Sequence, residues 1–111
     1  MGLELAFSSR ELRSICESHA KAKRELGEMT AHALQRHLAD MESADTVSEL
    51  FDLGLEIQHC CEDPGLLRFR LNEHACLACR ANHRSLPLNG GNIDWAQVTR
   101  LQLVRVEGTG D

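Results

Sequence analysis

The stretch that decides the fold is residues 92–108, NIDWAQVTRLQLVRVEG, which ends in the clearest strand pattern of the chain. Leu101, Leu103 and Val106 alternate, or nearly alternate, with polar residues, as expected for a strand that buries one face. Asp94 is placed to cap a single helical turn ahead of this strand. Because the strand comes late in the sequence, its pairing partners must come from earlier segments.

Earlier segments supply both strands and a layer of helices. Period-two patterns and turn residues predict strands at 3–7, 55–61, 66–71 and 75–81, and a loop at 83–94. Helical spacing predicts a helix that starts after Ser8 or Ser9, a second over about 20–41, and a short turn at 43–53. Gly27 leaves open a division of the second helix into two.

This order of elements predicts an α+β fold with two layers. The late strands form an antiparallel meander, the first strand joins the same sheet, and the N-terminal helix pair packs on one face. With 111 residues, the chain is long enough for one core, so we expect a single domain over 1–107 and a disordered tail at 108–111.

The charge balance argues against a general nucleic-acid binder. The formal net charge is −5, whereas such proteins are basic overall, although a local basic strip remains compatible with it. We find no apolar run long enough for a membrane span and no secretory signal, and we expect a cytoplasmic protein without membrane association.

The five cysteines predict free thiols, because the number is odd and no secretory signal precedes them. Cys60, Cys61, Cys76 and Cys79 lie near His59 and His74, which is the residue set of a structural zinc site. Residues three apart on a strand point to opposite faces, however, which disfavours joint coordination by Cys76 and Cys79. Core packing is the preferred interpretation, a zinc site and a redox pair stay as alternatives, and we predict no metal and no cofactor.

Three passages resemble the RelE/ParE superfamily of bacterial toxins, and most of all its HigB-like branch of plasmid-maintenance killer proteins. They are residues 3–18 (LELAFSSRELRSICES), residues 22–50 (AKRELGEMTAHALQRHLADMESADTVSEL) and residues 92–108. The last passage contains the Ile-Asp-Trp and Val-Thr motifs. The resemblance implies a RelE/HigB-like toxin domain that is the toxin of a type II toxin–antitoxin system. Its expected partner is a cognate helix-turn-helix antitoxin. Its expected activity is ribosome-dependent mRNA cleavage by an endoribonuclease.

The sequence departs from the family where that chemistry is usually carried out. A Lys-Gly-Asp-Arg-Lys-Gly-like turn of the family corresponds here to residues 59–65, HCCEDPG, and its Tyr-Arg pair corresponds to Ala75 and Cys76. The usual Asp-Tyr-His end is replaced by Gly108-Thr109-Gly110, and no lysine follows Lys23. RNA cleavage needs cations to stabilise phosphate charge and a group that moves the 2′-hydroxyl proton. The alternative function is therefore a non-catalytic, toxin-like binding protein. A metal-stabilised module and the gyrase poisoning of the ParE branch are further, less favoured readings.

The remaining basic residues form the candidate site. The predicted catalytic residues are Arg68, Arg70, Arg80 and His83, with His59 as an alternative acid or base, and the predicted RNA-binding residues are Arg84, Arg100 and Arg105. Their function would be to hold RNA phosphates or an acidic partner. The competing interpretation is that they form the solvated outer face of a half-buried sheet.

Overall fold

A computed structural model describes residues 2–60 and 62–108, which form an α+β fold of helices packed on a mixed sheet. The helices are α1 (Arg10–Glu17), α2 (His19–Leu26), α3 (Glu28–Ser43) and α4 (Val47–Asp52). The strands are β1 (Glu4–Phe7), β2 (Ile57–His59), β3 (Leu66–Arg70), β4 (Cys76–Ala81), β5 (Leu88–Asn89), β6 (Asn92–Ile93) and β7 (Arg100–Glu107). The predicted α+β class is confirmed. Cys61 and the predicted disordered tail, apart from Gly108, lie outside the described residues.

Helix boundaries follow local capping signals. Ser9 caps α1, and Ser18 ends α1 and caps α2 by accepting a hydrogen bond from the Lys21 N–H. Gly27 has φ 90° and ψ 158°, a conformation that only glycine adopts without strain. The prediction of one helix over 20–41 is therefore wrong as a single unit, and the division at Gly27 that it left open is what the structure has.

The main sheet has the strand order β1-β7-β4-β3-β2. The predicted antiparallel meander is confirmed for β2, β3, β4 and β7, whereas β1 pairs with β7 in parallel. The sheet is thus mixed and not wholly antiparallel. No hairpin joins β1 to its neighbour, so no tight turn forces the two strands to run in opposite directions. Within the predicted 83–94 loop, β5 and β6 form a separate small hairpin across Gly90 and Gly91, both with positive φ.

A β-bulge explains the imperfect alternation of β7. Its pairing with β4 passes from Leu103 opposite Cys79 to Arg105 opposite Ala78, which leaves Val104 as the extra residue. The bulge brings Val106 onto the face already occupied by Leu101 and Leu103. The Ser8 side chain donates a hydrogen bond to the Val104 carbonyl, which ties the bulge to the end of β1. Asp94 caps the 3-10 turn Trp95–Gln97, as predicted.

The hydrophobic core lies between the helices and one face of the sheet. Its fully buried members include, from the sheet, Leu67, Phe69, Leu77, Cys79, Leu101 and Leu103, and from the helices Leu34, Met41, Val47 and Leu50. Burying each of the larger side chains contributes about 1.5–3 kcal/mol. In the described part of the chain, none of the helices has the length and apolar character needed to cross a membrane. The opposite, outer face of the sheet is not covered by helices and carries most of the predicted site.

Candidate functional site on the outer face of the sheet

The outer face of the sheet gathers five of the predicted site residues, Arg68, Arg70, Arg80, Arg100 and Arg105, which we call the arginine face. Cross-strand pairing places Arg68 beside Ala78 and Arg70 beside Cys76, on the side opposite the core. Arg80 stands beside Gln102, and Arg105 stands beside Ala78. The strand period therefore brings the arginines onto one surface, as the sequence predicted for Arg68 and Arg70.

Each arginine of this face contacts a carboxylate. Arg68 Nε and Arg105 Nε lie 2.8 Å and 2.6 Å from the two oxygens of Glu107. Arg80 lies 2.6 Å from Asp63. The remaining pairs are Arg70 with Glu56 at 3.7 Å and Arg100 with Glu4 at 3.0 Å. Five guanidinium groups thus pair with four carboxylates, and the arginine face with its partners is close to electrically neutral.

Glu107 is the centre of the ion-pair network. The hydrogen bond from Arg68, followed by that from Arg105, holds the pKa of the Glu107 carboxyl below its usual range. Cys76 Sγ lies 3.7 Å from the same carboxylate. Burial, and then the Glu107 charge, raise the pKa of the Cys76 thiol. Glu107 is consequently ionised at neutral pH and is present as a negative charge in the middle of the arginine face.

The predicted catalytic residues lie in two separate clefts. The Arg68 cleft, of about 200 Å³, is lined by residues that include Gln58, Arg68, Arg70, Glu73, His74 and Glu107. The Arg80 cleft, of about 580 Å³, is lined by residues that include Arg80, His83, Arg84, Leu86, Leu88 and Ile93. Arg100 and Arg105 line neither cleft. The four predicted catalytic residues are therefore not gathered around one reacting group.

The two histidines proposed as acid or base are both engaged elsewhere. His83 Nε2 accepts a hydrogen bond from the Thr99 N–H at 3.0 Å, so this nitrogen is neither a free base nor a proton donor. His59 stacks on Phe51 with ring centroids 5.7 Å apart and contacts Trp95 at 6.2 Å. Arg84 is exposed, and among residues 2–60 and 62–108 we find no ion-pair or hydrogen-bond partner for its side chain.

Comparisons with known proteins add no residue or ligand to this geometry. No family model, curated protein or solved structure matches this chain. The chemistry of the site therefore follows from its own residues.

The cysteines of the described residues lie in different environments. Cys79 is fully buried in the core and Cys76 lies on the outer face, as predicted for two strand residues three apart. Burial raises the pKa of the Cys16 thiol to about 11, and burial also raises that of Cys79. Within residues 2–60 and 62–108, no three His, Cys, Asp or Glu side chains converge in a way that could hold a metal ion.

Cys60 differs from these three thiols. It is partly exposed, and its pKa is lowered, first by the backbone N–H of Glu62 and then by the Arg68 guanidinium and the Asp63 N–H. A thiolate is the reactive form of cysteine, and Cys60 has the largest thiolate fraction of these four at neutral pH.

Sequence reasoning missed three features of the site. It did not assign Glu107 a role, although an acid among alternating arginines on the last strand is a signal for cross-strand pairing. It did not place His74 in one cleft with Arg68 and Arg70, because the turn between β3 and β4 determines that arrangement. It also missed the cluster of Phe51, His59 and Trp95, which are distant in sequence.

Proposed function

We propose that the chain is a toxin-like protein of the RelE/HigB type that binds a partner protein and does not cleave RNA. The observation that carries this proposal is the pairing of every arginine of the arginine face with a carboxylate. Exposed ion pairs are worth only about 0–1 kcal/mol each, so an RNA phosphate is able to compete for the arginines. The carboxylates stay in place when it does, and they leave the face with little net attraction for RNA.

Proton transfer is the second weakness of the face as a nuclease. His83 Nε2 accepts a hydrogen bond from the Thr99 N–H, and the His59 ring is packed against Phe51 and Trp95. Cleavage would require one group to take the 2′-hydroxyl proton and another to protonate the leaving oxygen. In this proposal the protein works in the cytoplasm, and its partner is the cognate antitoxin or a protein that has taken its place.

A second candidate function is a weak endoribonuclease that acts in the Arg68 cleft with the ribosome and mRNA as partners. One observation favours it: the Arg68 cleft combines two arginines with the exposed His74. His74 would serve as the acid or base, in place of the predicted His83.

Expression of the chain alone in bacteria, with growth and primer extension on translated messages, tests the proposal. We expect normal growth, soluble protein and no discrete cuts. Growth arrest with cuts that disappear in Arg68→Ala and His74→Ala, but persist in the control Arg84→Ala, would establish the second candidate. Growth arrest without RNA cleavage would contradict both and support the gyrase-directed alternative.

A further inference from the structure

A further cleft adjoins the arginine face at Arg70 and lies between the α2–α3 junction and the hairpin that joins β3 to β4. This Met29 groove, of about 740 Å³, is lined by residues that include Leu26, Glu28, Met29, Glu56, Leu71 and Glu73. Its volume lies within the range of roughly 300–1,000 Å³ that is typical of ligand-binding pockets.

Three large apolar side chains, Leu26, Met29 and Leu71, line the groove, and one of them is unusually exposed. Met29 has 78% of its surface exposed, more than any other large hydrophobic residue of the described chain. Leu26 and Leu71 lie beside it in the same groove. Methionine side chains adapt to irregular apolar partners, which suits Met29 to binding a side chain from another molecule.

The rim of the groove is acidic. Glu28, Glu56 and Glu73 all line it, whereas Arg70 is its one arginine and pairs with Glu56 at 3.7 Å. Glu28 has an exposed pair with Lys23 at 3.4 Å. Across residues 2–60 and 62–108, the Glu73 side chain has no ion-pair partner. The lining thus carries three carboxylates and one guanidinium, a net negative charge that favours a cationic partner over a phosphate.

The groove is also held in shape before any ligand arrives. Asn72 Nδ2 donates a 2.7 Å hydrogen bond to Thr30 Oγ1, which joins the hairpin to the first turn of α3. Asn72 Oδ1 in turn accepts from the His74 N–H at 2.8 Å. A preformed groove binds with less loss of conformational entropy.

We infer that the Met29 groove is a docking site for a basic, amphipathic protein segment, in which a large apolar side chain contacts Met29 and flanking Lys or Arg residues contact Glu28 and Glu73. The inference rests on the binding role proposed above and names the surface and the partner chemistry. Charge complementarity selects this occupant. A second copy of this acidic chain would bring two glutamate rims together, and RNA would bring its phosphates to the same rim.

Two designed helical peptides test the docking site. Both carry leucines at helical spacing, and they differ only in lysine or glutamate at the polar positions. We expect the lysine peptide to bind the full chain in calorimetric titration and to shift the NMR amide signals of residues 26–30 and 70–74. Its affinity should fall as the salt concentration is raised. The glutamate peptide should not bind. Equal binding of both peptides, or no binding of the lysine peptide, would overturn the inference.

Matched variants locate the binding. We expect Met29→Gln to weaken binding of the lysine peptide about tenfold, because the apolar contact that binding would bury at Met29 is lost. Glu73→Gln should weaken it about threefold, as for an exposed charge pair. The controls Leu88→Gln and Glu25→Gln remove an exposed apolar residue and an exposed acid outside the groove and should change binding less than twofold. Controls that weaken binding as much as the groove variants would overturn the site.

Two further results separate this inference from the proposed function. A dimer of the unmodified chain in sedimentation, lost in Met29→Gln, would show a second copy in the groove and overturn the stated occupant. Cleavage of mRNA by a chain that still binds the lysine peptide through Met29 would refute the proposed non-catalytic function. The inference of the docking site would still stand. Absence of cleavage together with absence of peptide binding would refute the docking site alone.

Discussion

The Arg68 guanidinium lies 2.8 Å from the Glu107 carboxylate, although the two residues are 39 positions apart and belong to strands that are not paired with each other. Strand β4 runs between them, and the pair reaches across it. The outer face of β4 presents Cys76 and Ala78 at this point, both small enough to let the arginine lie over them. The contact thus joins three strands and uses charge that an RNA-binding surface would leave free.

Replacing Glu107 with glutamine should make stability less dependent on pH. The folded-state pKa of Glu107 is lowered, so its ion pairs stabilise the fold above the unfolded-state pKa of about 4.3 and this stabilisation is lost as pH falls through the folded-state value. We expect Glu107→Gln to lower the free energy of unfolding by about 1 kcal/mol at neutral pH, with the difference vanishing in strong acid. Urea unfolding of the parent and the variant, at neutral pH and in acid, measures this difference in the free energy of unfolding. A constant difference at all pH values would show that the side chain acts through packing.

Removing carboxylates should turn the arginine face into an RNA-binding surface. In Asp63→Asn with Glu107→Gln, three arginines lose their partners, and we expect affinity for single-stranded RNA to rise. Each new phosphate contact should steepen the dependence of log affinity on log salt by about 0.7. Fluorescence anisotropy with a labelled oligonucleotide at several salt concentrations measures both quantities. The control Asp52→Asn removes a charge in α4, away from this face, and an equal gain there would mean that only net charge matters.

Cys60 should react with iodoacetamide before Cys76, Cys16 and Cys79. Its pKa is lowered, whereas burial raises those of the other three thiols. Because the Glu62 N–H is the larger cause and Arg68 the lesser, Arg68→Ala should slow the reaction near neutral pH only in part. Mass mapping of alkylated peptides over a pH series gives the rates. Faster labelling of Cys76 would contradict the assigned environments.

Alanine substitutions at Gly27 and Gly65 should have different consequences. A Cβ at Gly27 meets nothing within 4 Å, but its φ of 90° strains any other residue, and we expect Gly27→Ala to destabilise by roughly 1–3 kcal/mol. At Gly65 the nearest atoms to a Cβ are 3.8 Å and 3.9 Å away and the φ is not positive, so Gly65→Ala should stay within about 0.5 kcal/mol of the parent or exceed it. Thermal unfolding compares the two. Equal losses would mean that Gly27 is not held at positive φ.

The fold class and the face of most residues were predictable because they depend on local period. Leu67 and Phe69 fall on the buried side of β3 and Arg68 on the outer side, as alternation requires. The parallel pairing of β1 was not predictable, since nothing near Leu5 encodes the direction of a strand that arrives some hundred residues later.

The candidate site was predictable in composition and not in electrostatics. Sequence identified the arginines and their strands, but a salt bridge between residues such as Arg80 and Asp63 depends on how a turn returns to its sheet. The separation of Arg68 from His83 into two clefts has the same origin. Charges of opposite sign are common in every segment, so their pairing becomes visible only with the register of β3, β4 and β7.

The parallel pairing of β1 with β7 determines how late β1 can enter the sheet during synthesis. The segment Glu4–Phe7 leaves the ribosome before α1–α4 and the other strands, and its neighbour Arg100–Glu107 follows only after all of these. Until then, the strand has helices beside it and an unoccupied hydrogen-bonding edge, and the loop to be closed contains all of the intervening helices and strands. Throughout that interval the nascent chain exposes an unpaired strand edge, and any factor that shields this early segment would raise the yield of folded molecules.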